Sequence, residues 1–164
     1  MMLSRKRWLA VLIAFVVAAD WASKFLIRNQ LPLRDRRILV DGWLSFQHNF
    51  NEGIAFSWFG GLNAAFRMPL LVVLTLVGIG ATVMVMRQSR DRWVHLAGAL
   101  VLGGALGNLG DRLVDGGVTD FIFVHFFPYI FNVADIAISI GGVLLALRML
   151  MDNGDGRDAA PTHA

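Results

Sequence analysis

From Met68 to Met86 the chain runs for nineteen residues without a charged side chain. A helix rises about 1.5 Å per residue, so such a run matches the roughly 30 Å hydrocarbon thickness of a bilayer. Three further apolar stretches share this character while admitting a few polar residues: one from Trp8 broken by Asp20 and Lys24, one from Trp93 ending in Asn108, Asp111 and Arg112, and one from Tyr129 containing Asn132 and Asp135. Spans are placed at about residues 8–27, 67–87, 93–113 and 129–150, with a long loop at about 28–66. Composition agrees, since 56% of the 164 residues are hydrophobic, only 16% are charged, and the mean hydropathy is +0.59. These values lie beyond the range usual for soluble domains. The expected fold is an α-helical integral membrane protein, a single domain over 1–152 with four transmembrane helices, followed by a disordered cytoplasmic tail at 153–164.

The opening stretch has a second reading. Arg5, Lys6 and Arg7 before an apolar run, with Ala18 and Ala19 after it, resemble a cleavable signal peptide. Against that, Asp20 and Lys24 are four residues apart in the acid-first order that pairs on one helical face, so the helix can continue to Ile27. The pI of about 10.2 accompanies a net charge of only +3, and the basic residues flank apolar runs instead of forming a stripe. They fit positive-inside topology and not nucleic-acid binding. Arg5, Lys6, Arg7, Arg87, Arg90, Arg92, Arg148 and Arg157 fall on one side, which places both termini in the cytoplasm, although Arg28, Arg34, Arg36, Arg37 and Arg67 lie on the other. In the long loop, the β-rich run to Val40, the Asp41-Gly42 turn signal and the run from Trp43 to Phe46 predict a hairpin, a small external β-rich cradle between helices 1 and 2. Trp43, Phe46, Phe50, Phe56, Trp58 and Phe59 suit the headgroup layer.

With both termini inside, Asp20 and Asp135 each lie seven residues from the outer end of a span, taking Pro128 as the start of the last one, and Asn108, Asp111 and Arg112 crowd the same end of the third. Charges within a bilayer are costly and face a protein interior or a wet cavity, so convergence at one depth marks a site. Two carboxylates in a desolvated pocket share a proton, which lets one act as general base and the other as general acid in attack of water on a carbonyl. Asp20, beside Lys24, and Asp111, beside Arg112, are expected to be paired structural charges, and Asp115 in a turn-like stretch to be solvated. Asp120 and Asp135 have no cation within five residues. They remain candidates for a catalytic pair, a proton relay or a hydrogen-bond network. There is no cysteine and the four histidines are scattered, so no thiolate chemistry and no metal or other cofactor is expected. His125 is expected to be an interfacial residue.

DWASK at 20–24, FNEGIAF at 50–56, GGALGNLGDR at 103–112, VTDF at 118–121 and FNVAD at 131–135 resemble, in order and spacing, the conserved blocks of bacterial lipoprotein signal peptidase, the signal peptidase II family. The resemblance implies a membrane-embedded aspartyl endopeptidase of the bacterial inner membrane, with its active site near the outer face. It would remove signal peptides from diacylglyceryl-modified prolipoproteins just before the lipidated cysteine. By the same resemblance Asp120 and Asp135 are the catalytic residues, Asn51, Gly53, Asn108, Arg112 and Asn132 bind substrate or support the dyad, and Asp20 with Lys24 is a structural pair. Implied partners are the prolipoproteins, membrane lipid and cyclic peptide inhibitors of the globomycin type, with no nucleic acid and a monomeric state. The alternatives are a small proton-coupled transporter or channel subunit using Asp20 and Asp135, and a membrane scaffold whose polar cluster only fixes helix packing. A transporter should show inverted halves or broken spans, and the sequence has neither.

Overall fold

A computed structural model describes residues 2–53 and 63–155. Helix α1 runs Met2–Gln30, strand β1 Arg36–Val40, β2 Leu44–Asn51, helix α2 Ala64–Gln88, α3 Arg92–Asp115, strand β3 Val118–Val124, β4 Ile130–Phe131 and helix α4 Val133–Asp155. All four helices are long and apolar enough to cross a membrane, and their outward side chains, among them Phe15, Val77 and Val143, are exposed as a lipid-facing surface requires.

The caps explain where the helices stop and start. Leu31 and Pro32 follow α1, and proline cannot continue a helix. The side chain of Asn63 accepts from the Ala65 amide at the start of α2, and Asp91 does the same for Trp93 at the start of α3. Gly116, with φ +75°, supplies the left-handed residue that closes α3.

Helix α3 is the central element and packs on α1, α2 and α4. Its glycines make this possible. A side chain at Gly104 would strike the Ala134 carbonyl of α4, and one at Gly107 would strike the Asp20 carboxylate of α1. Trp21 seals the second crossing by donating from Nε1 to the Gly107 carbonyl at 3.2 Å. Small residues at a crossing let backbones approach where lipid provides no hydrophobic drive.

The predicted hairpin is present, with Gly42 at φ +68° in its turn. The sheet is larger than the sequence suggested, because β3 and β4, between α3 and α4, extend it to four antiparallel strands in the order β1-β2-β3-β4. Pairing of Phe123 with Ile130 and Ile122 with Phe131 also moves the start of the last helix. Pro128 does not begin it; α4 starts at Val133, so Asp135 lies in its first turn and not seven residues deep. Helix α1 begins before residue 8, and α4 runs to Asp155, into the expected tail. Phe56, Trp58 and Phe59 and tail residues 156–164 lie outside the described residues.

Candidate active site

Sheet register brings the first carboxylate to its support. Asn49 faces Asp120 and Asn51 faces Val118, so Asn51 and Asp120 are diagonal neighbours on one face of β2 and β3. The Asn51 amide donates to Asp120 Oδ2 at 2.9 Å, while its carbonyl oxygen accepts from the Gly53 backbone at 2.8 Å. Gly53 has φ +95° and Leu71 packed against its α-carbon, so the tight turn that orients Asn51 needs glycine.

The second carboxylate is set by a helix cap. Asn132 accepts from the Asp135 backbone N–H at 3.0 Å, and Asp135 Oδ2 accepts from the Asn132 backbone N–H at 3.1 Å. This is the reciprocal bonding of a capping box, with Asp in the place of the usual Glu. The short β3–β4 return delivers Asn132 beside Asp120, and its amide donates to Asp120 Oδ1 at 2.7 Å. One fully buried asparagine therefore holds both carboxylates, by its side chain on Asp120 and by its backbone on Asp135.

Asn108 of α3 completes the arrangement. It donates to Asp135 Oδ1 at 2.8 Å and accepts from Lys24 Nζ at 3.0 Å and from Asn132 at 3.1 Å. Lys24 is buried and also pairs with Asp20 at 2.7 Å and Asp111 at 3.0 Å. The Asp20–Lys24 pair expected from the sequence thus reaches the site through Asn108. Asp20 in turn accepts from the Ala134 backbone at 2.9 Å, which ties α1 to the first turn of α4.

One expected pairing differs, and one exposed aspartate has gained a partner. Asp111 does not pair with Arg112; it meets Lys24 and Arg28 of α1, because consecutive helical residues point about 100° apart. Arg112 instead turns toward the Asn108 carbonyl at 3.4 Å and lines the cavity, and its Nε has no hydrogen-bond partner among the described residues. Asp115, expected to be solvated, pairs with Arg28 at 2.7 Å at the protein surface. His125 faces Ser45 at 2.8 Å and takes no part in the carboxylate network. Sequence reasoning missed Arg28, and also Glu52, which lines the cavity and pairs with Arg67 at 2.8 Å. Their partners lie too far along the chain for spacing to reveal.

Asp120 and Asp135 line the wall of a cavity of about 1260 Å³ together with Asn51, Asn108 and Arg112 and with the apolar Phe126, Phe127, Tyr129, Ile136 and Ile140. Burial pushes the Asp120 carboxyl up to about 6; the nearby Asp135 charge adds to the rise, while the amides of Asn51 and Asn132 oppose it. Such a wall presents two differently placed carboxyls to an extended apolar ligand, the arrangement that general acid–base attack of water on a peptide carbonyl needs.

The family described as signal peptidase (SPase) II matches residues 12–151. The lipoprotein signal peptidase of Pseudomonas syringae pv. tomato is 41% identical over 155 residues, covering 91% of this chain and 87% of the relative. That of Pseudomonas aeruginosa PAO1 is 37% identical over 158 residues, with coverages of 93% and 91%. Two solved structures, both described as a bacterial membrane enzyme determined by the in meso method, superpose with TM-scores of 0.79 and 0.80 at 27% and 29% identity. They cover 95% and 88% of this chain and 93% of each solved chain.

Proposed function

The chain belongs to the signal peptidase II family and is a membrane-embedded aspartic peptidase acting on lipoprotein precursors, and from that premise we propose that Asp120 and Asp135 are its catalytic pair. The observation that carries the assignment is the position of Asn132, whose side-chain amide holds Asp120 and whose backbone N–H holds Asp135. A transporter reading has no support from the relatives.

In the proposed reaction a water lies between the two carboxyls. Asp135, which receives N–H donors from Asn108 and Asn132, acts as the carboxylate that draws the proton from water. Asp120, whose raised pKa favours the protonated form, polarises the scissile carbonyl and then delivers a proton to the leaving amine. Asn51, Asn108 and Asn132 keep both groups in place. Arg112, at the cavity wall, offers donors to the substrate backbone, and the apolar lining takes the signal-peptide side chains.

The substrate is a prolipoprotein already carrying diacylglycerol, cut just before the modified cysteine. A lipid anchor would hold that bond at the bilayer surface, so proximity replaces much sequence recognition. The arginine distribution supports both termini in the cytoplasm and a site near the outer face of the inner membrane. The working unit is one monomeric domain over about 1–152, with 153–164 as a cytoplasmic tail, and the cavity is the seat for cyclic peptide inhibitors of the globomycin type.

The test is product mapping. Reconstituted protein should cut a diacylglyceryl-prolipoprotein to give a new N-terminus at the lipidated cysteine, read by mass spectrometry, with a chelator leaving the rate unchanged. Equal cleavage of the unlipidated precursor would contradict the lipid requirement.

A further inference from the structure

Basic residues gather at both ends of α1, although the topological bias concentrates them on one side of a membrane. At the sheet end, Arg28 is taken up by Asp111 and Asp115, and Arg67 by Glu52. Arg34, Arg36 and Arg37 remain and carry no carboxylate partner among the ion pairs of the described residues. Arg36 is held in place by Gln47, at 2.7 Å, and lies over the Phe123 ring. Asp35 sits among them and Asp41 at the hairpin turn, and the segment keeps an excess of positive charge.

Arg34 is the one described residue other than glycine with positive φ, at +72°. A side chain there is strained by about 1 kcal/mol relative to glycine, and observed strain of this kind points to a functional side chain. The strand edge that follows it is exposed, and it is apolar toward the hairpin turn. Ile38 and Val40 on β1, Trp43 in the turn and Phe126 are 58%, 52%, 63% and 74% exposed, and the Trp43 and Phe126 rings meet edge to face. Every residue of β1 is exposed, as the free edge of the sheet. The α1 span ends at Gln30, so Arg37 follows it by at most about 25 Å of chain. Arginine forks suit phosphate oxygens, and exposed aromatics and aliphatics suit the boundary beneath them.

We propose that the β1 edge binds the headgroup of an anionic phospholipid of the surrounding bilayer, with Arg34 and Arg37 at its start as phosphate ligands and Val40, Trp43 and Phe126, farther along at the hairpin end, seated in the boundary of the same bilayer. The bound lipid anchors the sheet, and with it Asn51 and Asp120, against the membrane surface.

The experiment measures lipid retention directly, so its failure leaves the assignment of the catalytic pair untouched. Full-length protein is equilibrated with equimolar phosphatidylglycerol and phosphatidylcholine, and the retained lipids are counted by native mass spectrometry. The wild type should prefer phosphatidylglycerol, and 0.5 M salt should weaken the preference. Arg34→Gly/Arg37→Gln should lower it by roughly 10- to 30-fold, while Arg34→Lys/Arg37→Lys should keep part of it. Glycine fits the backbone at 34, so the double variant should unfold at a temperature no lower than the wild type; Arg37→Gln alone provides a milder second reading. No preference in the wild type, or an unchanged preference in the double variant, overturns the proposal. So does a lower kcat/KM for the double variant in purely phosphatidylcholine vesicles, which would assign these arginines to the substrate.

Discussion

Asn51 and Lys24 act on the carboxylates by different means, and each can be tested alone. The Asn51 amide stabilises the charged form of Asp120, so removing it should raise a pKa that already stands at about 6. The reaction as proposed uses protonated Asp120, which is lost as pH rises through that value. Asn51→Ala should therefore move the alkaline limb of the kcat/KM profile to higher pH while lowering its plateau; a limb that stays or moves down would contradict the assigned role. Lys24 is a buried cation between Asp20 and Asp111. Lys24→Met leaves both acids without it, and breaking a buried pair in this way costs about 3–5 kcal/mol. Thermal unfolding in detergent should show a large loss, against less than about 1 kcal/mol for Asp115→Asn at the exposed Arg28 pair.

At the scale of elements, the site depends on how closely α3 meets α4. A methyl group at Gly104 would press on the Ala134 carbonyl, which is backbone and cannot turn aside. Gly104→Ala should push α4 outward, lengthen the Asn108–Asp135 bond and reduce turnover, with a stability loss of about 1–3 kcal/mol from overpacking. Equal turnover at equal stability would show that the crossing has slack. Much of this level was legible in the sequence: long apolar runs, one of them free of charge and three admitting a few polar residues, gave the spans, and Asp41-Gly42 gave the hairpin. The start of α4 was not, because Pro128 and the apolar residues after it satisfy a helix pattern equally well. Pairing of Ile130 and Phe131 with β3 decides against that pattern, and such pairing depends on a neighbour several residues away. Asp111 was misassigned for a related reason, since adjacency in sequence concealed that its helical face looks toward α1. Residue chemistry singled out Asp120 and Asp135 but left a relay and a structural network open beside a catalytic pair; the family resemblance is what favoured the pair.

Across the whole molecule, three helices and the sheet each supply the site with something the others cannot: α1 a buried cation, α3 a bridging amide, the sheet Asp120 with its asparagine, and α4 a capped Asp135. We propose that this assembly lets two carboxylates share one proton. The direct measurement is cleavage of a diacylglyceryl-prolipoprotein by Asp120→Asn and Asp135→Asn, made singly, each reconstituted and shown by its unfolding transition to be folded. Both variants should lose at least about a thousandfold in turnover, because a dyad fails when either member cannot exchange its proton. Near wild-type turnover in either folded variant would contradict the account.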